Sequence, residues 1–249
     1  MDWGRAKNVL IYAFLLLNLV LGYQLWIDYR EQAGSSLDFT SLSESTQQIM
    51  EKNGIQVQSP IPSETPQLPK INYIYSAEMQ KEPVELEEPV DTKLIYADEK
   101  ELRSALEGTI PNLANYRHDQ PSDQENVFVF RPLVLKEWPL FNVELEFIHE
   151  SQKIHAYREP VFEILPTDGA EEQKVLPASK ALETLIERNF IPRDTAVRDI
   201  QLGYYGQLFN TEDQLAAPTW RFTLDNGEMI YVQGISGDVL TPKSDTAKE

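Results

Sequence analysis

The chain contains 249 residues, with 22 basic and 40 acidic side chains, and its formal net charge is −18. Because each contact to a nucleic-acid phosphate needs a cation, this balance argues against a protein that binds DNA or RNA. The sequence contains no cysteine, which excludes disulfides, thiolate metal sites and cysteine nucleophiles. The length is sufficient for one large domain or two modest ones.

The longest apolar segment is residues 8–27, which carries no formal charge. At about 1.5 Å rise per residue, a helix of this length spans roughly 30 Å, the thickness of a bilayer's hydrocarbon core. The alternative is a cleaved signal peptide, for which Ala33–Ser35 is a weak cleavage candidate. Bulky Tyr23, Trp26 and Ile27 close the apolar segment and favour an uncleaved transmembrane helix.

The charges that flank this segment predict its orientation. Arg5 and Lys7 precede it, whereas residues 31–249 carry a net charge of −19. Basic flanks remain on the cytoplasmic side of a membrane. We therefore expect a single-pass protein of the cell membrane, with residues 1–7 in the cytoplasm and an extracytoplasmic C-terminal domain.

One face of the predicted span carries a polar side chain and a glycine. Asn18 lies in the middle of the span, and an amide in hydrocarbon favours a hydrogen bond to another helix. Steps of three and four residues place it on a predicted partner-binding stripe, which consists of Ile11, Leu15, Asn18, Gly22 and Leu25. The alternative is that Asn18 binds the backbone of its own helix and that Gly22 is incidental.

Residues 28–69 are predicted to form a juxtamembrane helix and a proline-rich segment. Ser41 is a candidate N-cap and Gly54 a candidate stop signal for the helix. Four prolines within residues 60–69 favour extended chain, either a spacer or a folded crossover. The acidic residues 82–91, which contain two prolines, are predicted to form a solvated loop.

The rest of the chain is predicted to form two small α+β units, residues 70–170 and 171–249. In the first, a helix that carries Leu102, Ala105 and Leu106 precedes strands near residues 126–135, 141–149 and 153–164. In the second, a helix precedes strands near residues 197–205, 220–224 and 229–233, and its core-facing residues are Ala178, Ala181, Leu182, Leu185 and Ile186.

The predicted fold class is therefore α+β, with each antiparallel sheet covered by a helix, a pattern like that of PepSY modules. Asn226-Gly227 predicts a type I′ hairpin turn, and Glu150, Ser151 and Gln152 a looser turn at the equivalent place in the first unit. The repeated order of elements fits an internal duplication, but any two α+β segments share such a pattern.

The residue pattern of the chain predicts no catalytic, cofactor-binding or metal-binding residue. The glycine spacings match no phosphate-binding loop and no nucleophile elbow. His149-Glu150 does not continue as a zinc-binding helix, because the next histidine follows six residues later. A group of aromatic residues could line a groove or fill the core: Tyr204, Tyr205, Phe209, Trp220 and Tyr231.

Four stretches of the chain resemble the YycI (WalI) regulatory proteins of Gram-positive bacteria. They are MDWGRAKNVLIYAFLLLNLVLGYQLW, NGIQVQSPIP, LPKINYIYSA and WRFTLDNGEMIYVQGISGDVL, so the resemblance extends over the whole chain. It implies a non-enzymatic, membrane-anchored protein that acts with a related YycH-type partner on a sensor histidine kinase of the YycG/WalK type. That two-component pathway governs cell-wall metabolism, and the implied contacts run largely through transmembrane helices.

Two other functions fit the residues less well. One is a membrane-anchored envelope enzyme that acts on wall polymers through a pair of carboxylates. The other is a PepSY-like inhibitor or chaperone of an extracytoplasmic partner. A shielded carboxylate pair in a cleft would favour the enzyme over either kind of binding protein.

Overall fold

The computed structural model describes residues 42–75, 82–93, 104–106, 109–110, 112–166, 169–206 and 211–240, together with residues 12, 14, 15 and 18. The chain divides into two units, Met1–Ser41 and Leu42–Glu249. Apart from the four described residues, which are helical, the predicted span lies outside this part of the chain. Among the described residues, no helix has the length and hydropathy needed to cross a membrane.

The Leu42–Glu249 unit consists mostly of strands with few helices, which confirms the α+β class. Among the described residues, two helices have both ends defined, α1 (Glu44–Asn53) and α2 (Ala178–Glu187), and 3-10 turns lie at Leu113–Asn115 and Gln120–Ser122. The strands are β1 (Gln56–Val57), β2 (Gln67–Leu68), β3 (Ile71–Tyr75), β4 (Val84–Asp91), β5 (Tyr116–His118), β6 (Val127–Val134), β7 (Trp138–Pro139), β8 (Leu145–Glu150), β9 (Lys153–Arg158), β10 (Phe162–Ile164), β11 (Gln173–Lys174), β12 (Ala196–Tyr205), β13 (Asp213–Leu224), β14 (Met229–Gln233) and β15 (Val239–Leu240).

Two sheets form the body of this unit. The first, sheet A, has the order β1-β12-β13-β14-β15, with β3 paired to β13 and β10 paired to β3. The second, sheet B, has the order β4-β9-β8-β6-β5, with β7 paired to β6. All of these pairs are antiparallel except β1 with β12. A separate two-stranded ribbon joins β2 to β11.

The predicted boundary between residues 170 and 171 does not separate the two sheets. Strands β3 and β10 precede this boundary, yet both pair within sheet A. The register places Ile74 opposite Asp213 of β13 and opposite Glu163 of β10. Sheet A is therefore completed by strands from both halves of the chain, which a helix, strand and hairpin pattern along the sequence does not reveal.

Helix α1 begins two residues later than the sequence predicted. Ser43, not Ser41, is the N-cap, and its hydroxyl accepts a hydrogen bond from the Thr46 N–H. The predicted end at Gly54 is confirmed: the residue has a φ of 67°, and its N–H donates to the Glu51 carbonyl. The Ile55 N–H donates to the Met50 carbonyl at 2.9 Å, which completes a Schellman motif.

The apolar pattern of α2 predicted its packing correctly. Ala178, Ala181, Leu182, Leu185 and Ile186 are all fully buried. In the predicted helix of the first unit, described residues 104–106 are helical and Leu106 is buried. Ala105 is exposed there, contrary to the prediction, and Leu102 lies outside the described part of the chain.

Both predicted hairpins form, but their turn types are exchanged. Ser151 and Gln152 have φ values of 52° and 64° between the paired residues Glu150 and Lys153, as a type I′ turn requires. Gly227 has a φ of 85°, whereas Asn226 has a negative φ, so the predicted type I′ turn is wrong. The Asn226 Oδ1 accepts from the Glu228 N–H at 2.9 Å and holds a three-residue loop with a bulge at the glycine.

The acidic loop predicted at residues 82–91 is instead the edge strand β4. It pairs with β9, but a register shift between Glu85 and Val90 interrupts the ladder. Edge strands are commonly protected from pairing with other chains by charged side chains, proline and irregular hydrogen bonding. Strand β4 has all three: its acidic residues, Pro89 and the register shift. The local composition indicated a loop because β4 buries little except Leu86.

Close contact between the sheets depends on a glycine. The Phe141 N–H donates to the Tyr204 carbonyl at 2.8 Å, so the segment after β7 runs beside β12. A Cβ on Gly203 would lie 2.5 Å from the Phe141 ring and 2.6 Å from the Pro139 carbonyl oxygen. The backbone carbonyl cannot move without breaking this contact, and no side chain larger than hydrogen fits.

We predict that Gly203→Ala lowers the free energy of unfolding by about 1–3 kcal/mol, because overpacking forces the sheets apart. Urea unfolding of the full chain measures this loss. Arg198→Ala, at an exposed position of the same strand, is the control and should change stability by less than about 0.5 kcal/mol. Equal losses in the two variants would contradict this account of the contact.

Candidate functional site: the ion network and clefts between the sheets

A buried carboxylate joins the two sheets. Asp119 follows β5 of sheet B, and its side chain is 5% exposed. Both of its oxygens accept from Arg221 of β13 in sheet A, at 2.6 and 2.7 Å. Arg131 of β6 donates from Nε to the same carboxylate at 2.9 Å. Asp119 therefore binds one guanidinium from each sheet.

Further contacts surround each guanidinium. Arg131 Nη1 donates to the Phe141 carbonyl at 2.7 Å and to Glu144 Oε1 at 2.8 Å. Arg221 Nη2 donates to Gln201 Oε1 at 2.7 Å, and the Arg221 guanidinium lies 4.5 Å from the centre of the Phe141 ring. These bidentate and stacked contacts suit the planar fork of arginine and not the ammonium of lysine.

The electrostatic environment keeps Asp119 ionised. Burial raises the pKa of its carboxyl, but the hydrogen bonds and positive charges of Arg221 and Arg131 outweigh burial and lower the pKa to about 2. Removing one partner from such a pair leaves an uncompensated buried charge, which typically costs about 3–5 kcal/mol. The network therefore fixes how sheet A meets sheet B.

Two clefts open beside this network and share Gln201 as a lining residue. The first has a volume of about 580 Å³ and is mostly polar; its charged lining residues are Asp119, Arg198, Asp199, Arg221 and Asp225. The second has a volume of about 460 Å³ and includes Ile61, Pro62, Trp138, Ile200, Leu202 and Trp220. Both volumes fall in the range of small-ligand or peptide-side-chain pockets.

Three carboxylates line the polar cleft, and the two nearest to Arg221, Asp119 and Asp199, are the ones to compare with the carboxylate pair of an envelope enzyme. Burial raises the pKa of Asp199, with Arg221 opposing and Asp119 adding to this effect. Asp119 cannot act as a proton donor near neutral pH, because it is ionised and its oxygens are occupied by Arg131, Arg221 and Ser122. It is a structural carboxylate, and the arrangement does not form the acid and base pair of a glycosidase.

His118, His149 and the aromatic residues make contacts within the fold. His118 lies 2.9 Å from a carboxylate oxygen of Asp123, and the His149 ring of β8 stacks on the Phe128 ring of β6. No group of three His, Asp or Glu side chains in the described ranges could hold a metal ion. The predicted groove aromatics Tyr204, Trp220 and Tyr231 are buried in the core; Tyr205 is half-buried against Tyr231, and Phe209 lies outside the described residues.

The predicted stripe in the span is described at two positions, Leu15 and Asn18. The Asn18 Nδ2 donates to the Phe14 carbonyl at 2.8 Å, which is the bond to its own helix that the alternative interpretation requires. This bond uses one of the two amide N–H donors and leaves the side-chain oxygen available for a partner. Ile11, Gly22 and Leu25 lie outside the described residues.

Sequence reasoning missed the ion network entirely. Asp119 and Arg221 are 102 positions apart, and no motif links them. A signal was nevertheless present, because Arg131 and Arg221 both interrupt apolar strands, in FVFRPLV and TWRFTL. A buried arginine requires an acidic partner, although the sequence alone cannot identify which of forty acids supplies it.

We predict that Asp119→Asn lowers the free energy of unfolding by about 3–5 kcal/mol, because Arg221 loses its bidentate carboxylate and Arg131 retains only Glu144 as a counter-charge. Asp225→Asn, an exposed residue of the same cleft, is the matched control and should be nearly neutral. Urea unfolding at pH 7 compares the two. Equal midpoints would show that the network does not hold the sheets.

The low pKa also predicts a pH dependence. The folded-state pKa of about 2 lies below the ordinary value of 3.8, so ionised Asp119 stabilises the fold above about pH 4. This contribution, about 2 kcal/mol, is lost as pH falls from about 4 to about 2. Urea unfolding at several pH values measures this loss. Between about pH 4 and pH 2, the free energy of unfolding should fall by correspondingly less in Asp119→Asn than in the wild type.

Comparisons with known proteins identify the family. No curated protein matches the chain. An uncharacterized protein from Eubacterium rectale ATCC 33656, solved by crystallography, aligns with 16% identity and a TM-score of 0.36, over 48% of this chain and 44% of its own length. The chain thus spans less than half of that protein, and the similarity is too low to carry an argument.

The model of the YycI protein family matches residues 73–235. The chain therefore belongs to the YycI family, whose regulatory role lies in the YycG/WalK two-component system and whose members are not known as enzymes.

Proposed function

We propose that this protein is a membrane-anchored regulator of a sensor histidine kinase of the YycG/WalK type and acts with a YycH-type partner to control cell-wall metabolism. The family match carries this proposal, since it covers nearly all of sheet A and sheet B. The Asp119 network favours a binding role over a catalytic one. Asp119 is a buried carboxylate of the polar cleft, and it is already bound by Arg131 and Arg221. The clefts beside it are surfaces that a partner domain could contact.

The membrane location is part of the proposal. The uncharged residues 8–27 and the basic residues Arg5 and Lys7 support an anchor with its N-terminus in the cytoplasm. The acidic ectodomain would then lie outside the membrane beside the extracytoplasmic domain of the kinase. Contacts of this kind regulate a kinase when their affinity differs between its two signalling states.

Topology is the first test of this proposal. A reporter that is active only outside the cytoplasm, fused after Glu249, should be active, and protease added to intact protoplasts should remove the ectodomain. The same reporter fused before Met1 is the control and should be inactive. Protection of the ectodomain from the protease would contradict the orientation and the proposed mechanism with it.

The second test concerns the stripe on the span. If the Asn18 amide binds a partner helix, Asn18→Leu should cost about 0.5–2 kcal/mol of association, and Gly22→Leu should prevent close approach on the same face. Leu16→Ile and Val20→Leu change the other side of the helix and serve as controls. Recovery of the kinase and the YycH-type partner from membranes measures association.

The outcome also distinguishes between the two interpretations of Asn18. Reduced recovery in the Asn18 and Gly22 variants alone would support a helix interface. Equal recovery in all four variants would mean that the bond from Asn18 to the Phe14 carbonyl is its whole role. The kinase and its partner would then contact the protein through the ectodomain.

A further inference from the structure

The first turn of α1 is bound by α2. The Ser43 N–H donates to Glu183 Oε1 at 2.7 Å, and the Thr46 hydroxyl donates to Glu187 Oε1 at 3.3 Å. Leu42 and Thr46 are buried at the same end of the helix. The residues that follow the N-terminal segment are therefore attached to α2 by a carboxylate and by buried side chains.

Glu183 is a charged residue among the buried positions of α2. Its side chain is 8% exposed, and its second oxygen accepts from Lys180 Nζ at 2.6 Å. Burial raises the pKa of Glu183, but the hydrogen bonds from Lys180 and Ser43 outweigh burial and lower the pKa. The carboxylate is thus charged at neutral pH, and a buried charge is tolerated only while such partners remain.

The other end of α1 is attached to sheet A. The Asp194 N–H donates to the Asn53 carbonyl at 2.9 Å, directly before Gly54 turns the chain. The Gln56 N–H then donates to the Thr195 carbonyl at 3.1 Å, and β1 pairs with β12. Helix α1 is therefore held at both ends, by the carboxylate of α2 at its start and by backbone bonds to the β12 side at its end.

We propose that Glu183 is a positioning residue that couples the N-terminal segment, residues 1–41, to the ectodomain. It does so by accepting the N–H of Ser43, the N-cap residue of α1. This proposal rests on the proposed function, in which the N-terminal segment contacts the kinase within the membrane. While the Ser43 N–H is bound to Glu183, residues 42–43 have a fixed position on the ectodomain. A displacement of the N-terminal segment is then transmitted to α2 and sheet A. Without the bond from Ser43 to Glu183, the first turn of α1 is held less firmly to α2, and the displacement is not transmitted.

The structural effect can be measured by hydrogen exchange on the full chain in lipid nanodiscs. Glu183→Ala should raise amide exchange in residues 43–47 at least tenfold, while amides of β12 and β13 exchange as before and report an intact fold. Glu183→Gln retains the oxygen that accepts from Ser43 and should largely restore protection. Arg188→Ala changes an exposed residue at the other end of α2 and is the control.

A second pair of variants alters the donor and leaves Glu183 in place. Ser43 has φ −62° and ψ 150°, which proline adopts without strain. Ser43→Pro removes the backbone N–H together with the hydroxyl, whereas Ser43→Ala removes only the hydroxyl. Greater exchange in residues 44–47 of Ser43→Pro than of Ser43→Ala would therefore report the bond to Glu183, even if Glu183→Ala did not fold.

The regulatory effect is measured as kinase output in cells. Glu183→Ala should shift output to the level of cells that lack the protein, whereas recovery of the kinase from membranes should remain as in the wild type. Unchanged exchange in residues 43–47 would overturn the capping role, and raised exchange with normal output would overturn the coupling. If cells with and without the wild-type chain gave equal output, the proposed function itself would fail, whatever the exchange data.

Discussion

The meeting of two arginines at one buried carboxylate determines how the Leu42–Glu249 unit is assembled. Arg131 and Arg221 are 4% and 1% exposed, and neither could be buried without a counter-charge. Asp119 supplies that charge to both, but only when sheet A and sheet B lie in the observed arrangement. Hydrophobic burial alone would tolerate many relative positions of two apolar sheet faces, because it is not directional. The ion network removes this freedom, so its main contribution is to specificity of packing, in addition to whatever stability it supplies.

Features set by neighbouring residues could be predicted from the sequence, whereas features set by distant ones could not. The packing face of α2 followed from spacing, and the end of α1 followed from Gly54, whose left-handed φ favours glycine. The type I′ turn at Asn226-Gly227 was wrong because the Asn226 side chain binds the Glu228 N–H and stabilises a different loop. Equally, nothing local indicated that β3 would complete sheet A.

At the candidate site, too, contacts between distant residues could not be predicted from the sequence. The aromatic residues Tyr204, Trp220 and Tyr231 were recognisable as strand residues, but their burial depends on how the two sheets and the proline-rich segment pack. The Tyr204 hydroxyl donates to the Pro69 carbonyl, and the Trp220 indole donates to the Leu176 carbonyl. These partners are 135 and 44 positions away. The proline-rich segment thus proved to be a folded crossover, which its composition could not distinguish from a spacer.

The magnitudes constrain where a regulatory movement can occur. Coupling between binding sites typically amounts to about 1–3 kcal/mol, whereas separating a buried ion pair costs about 3–5 kcal/mol. A binding event that supplies this much coupling energy is therefore too weak to part sheet A from sheet B at Asp119. The bond from the Ser43 N–H to Glu183 is weaker: a single hydrogen bond to a carboxylate contributes about 1.5–3 kcal/mol, within the range that binding can supply. In the mechanism that we propose, a signal would consequently act on α1 before it acted on the sheets.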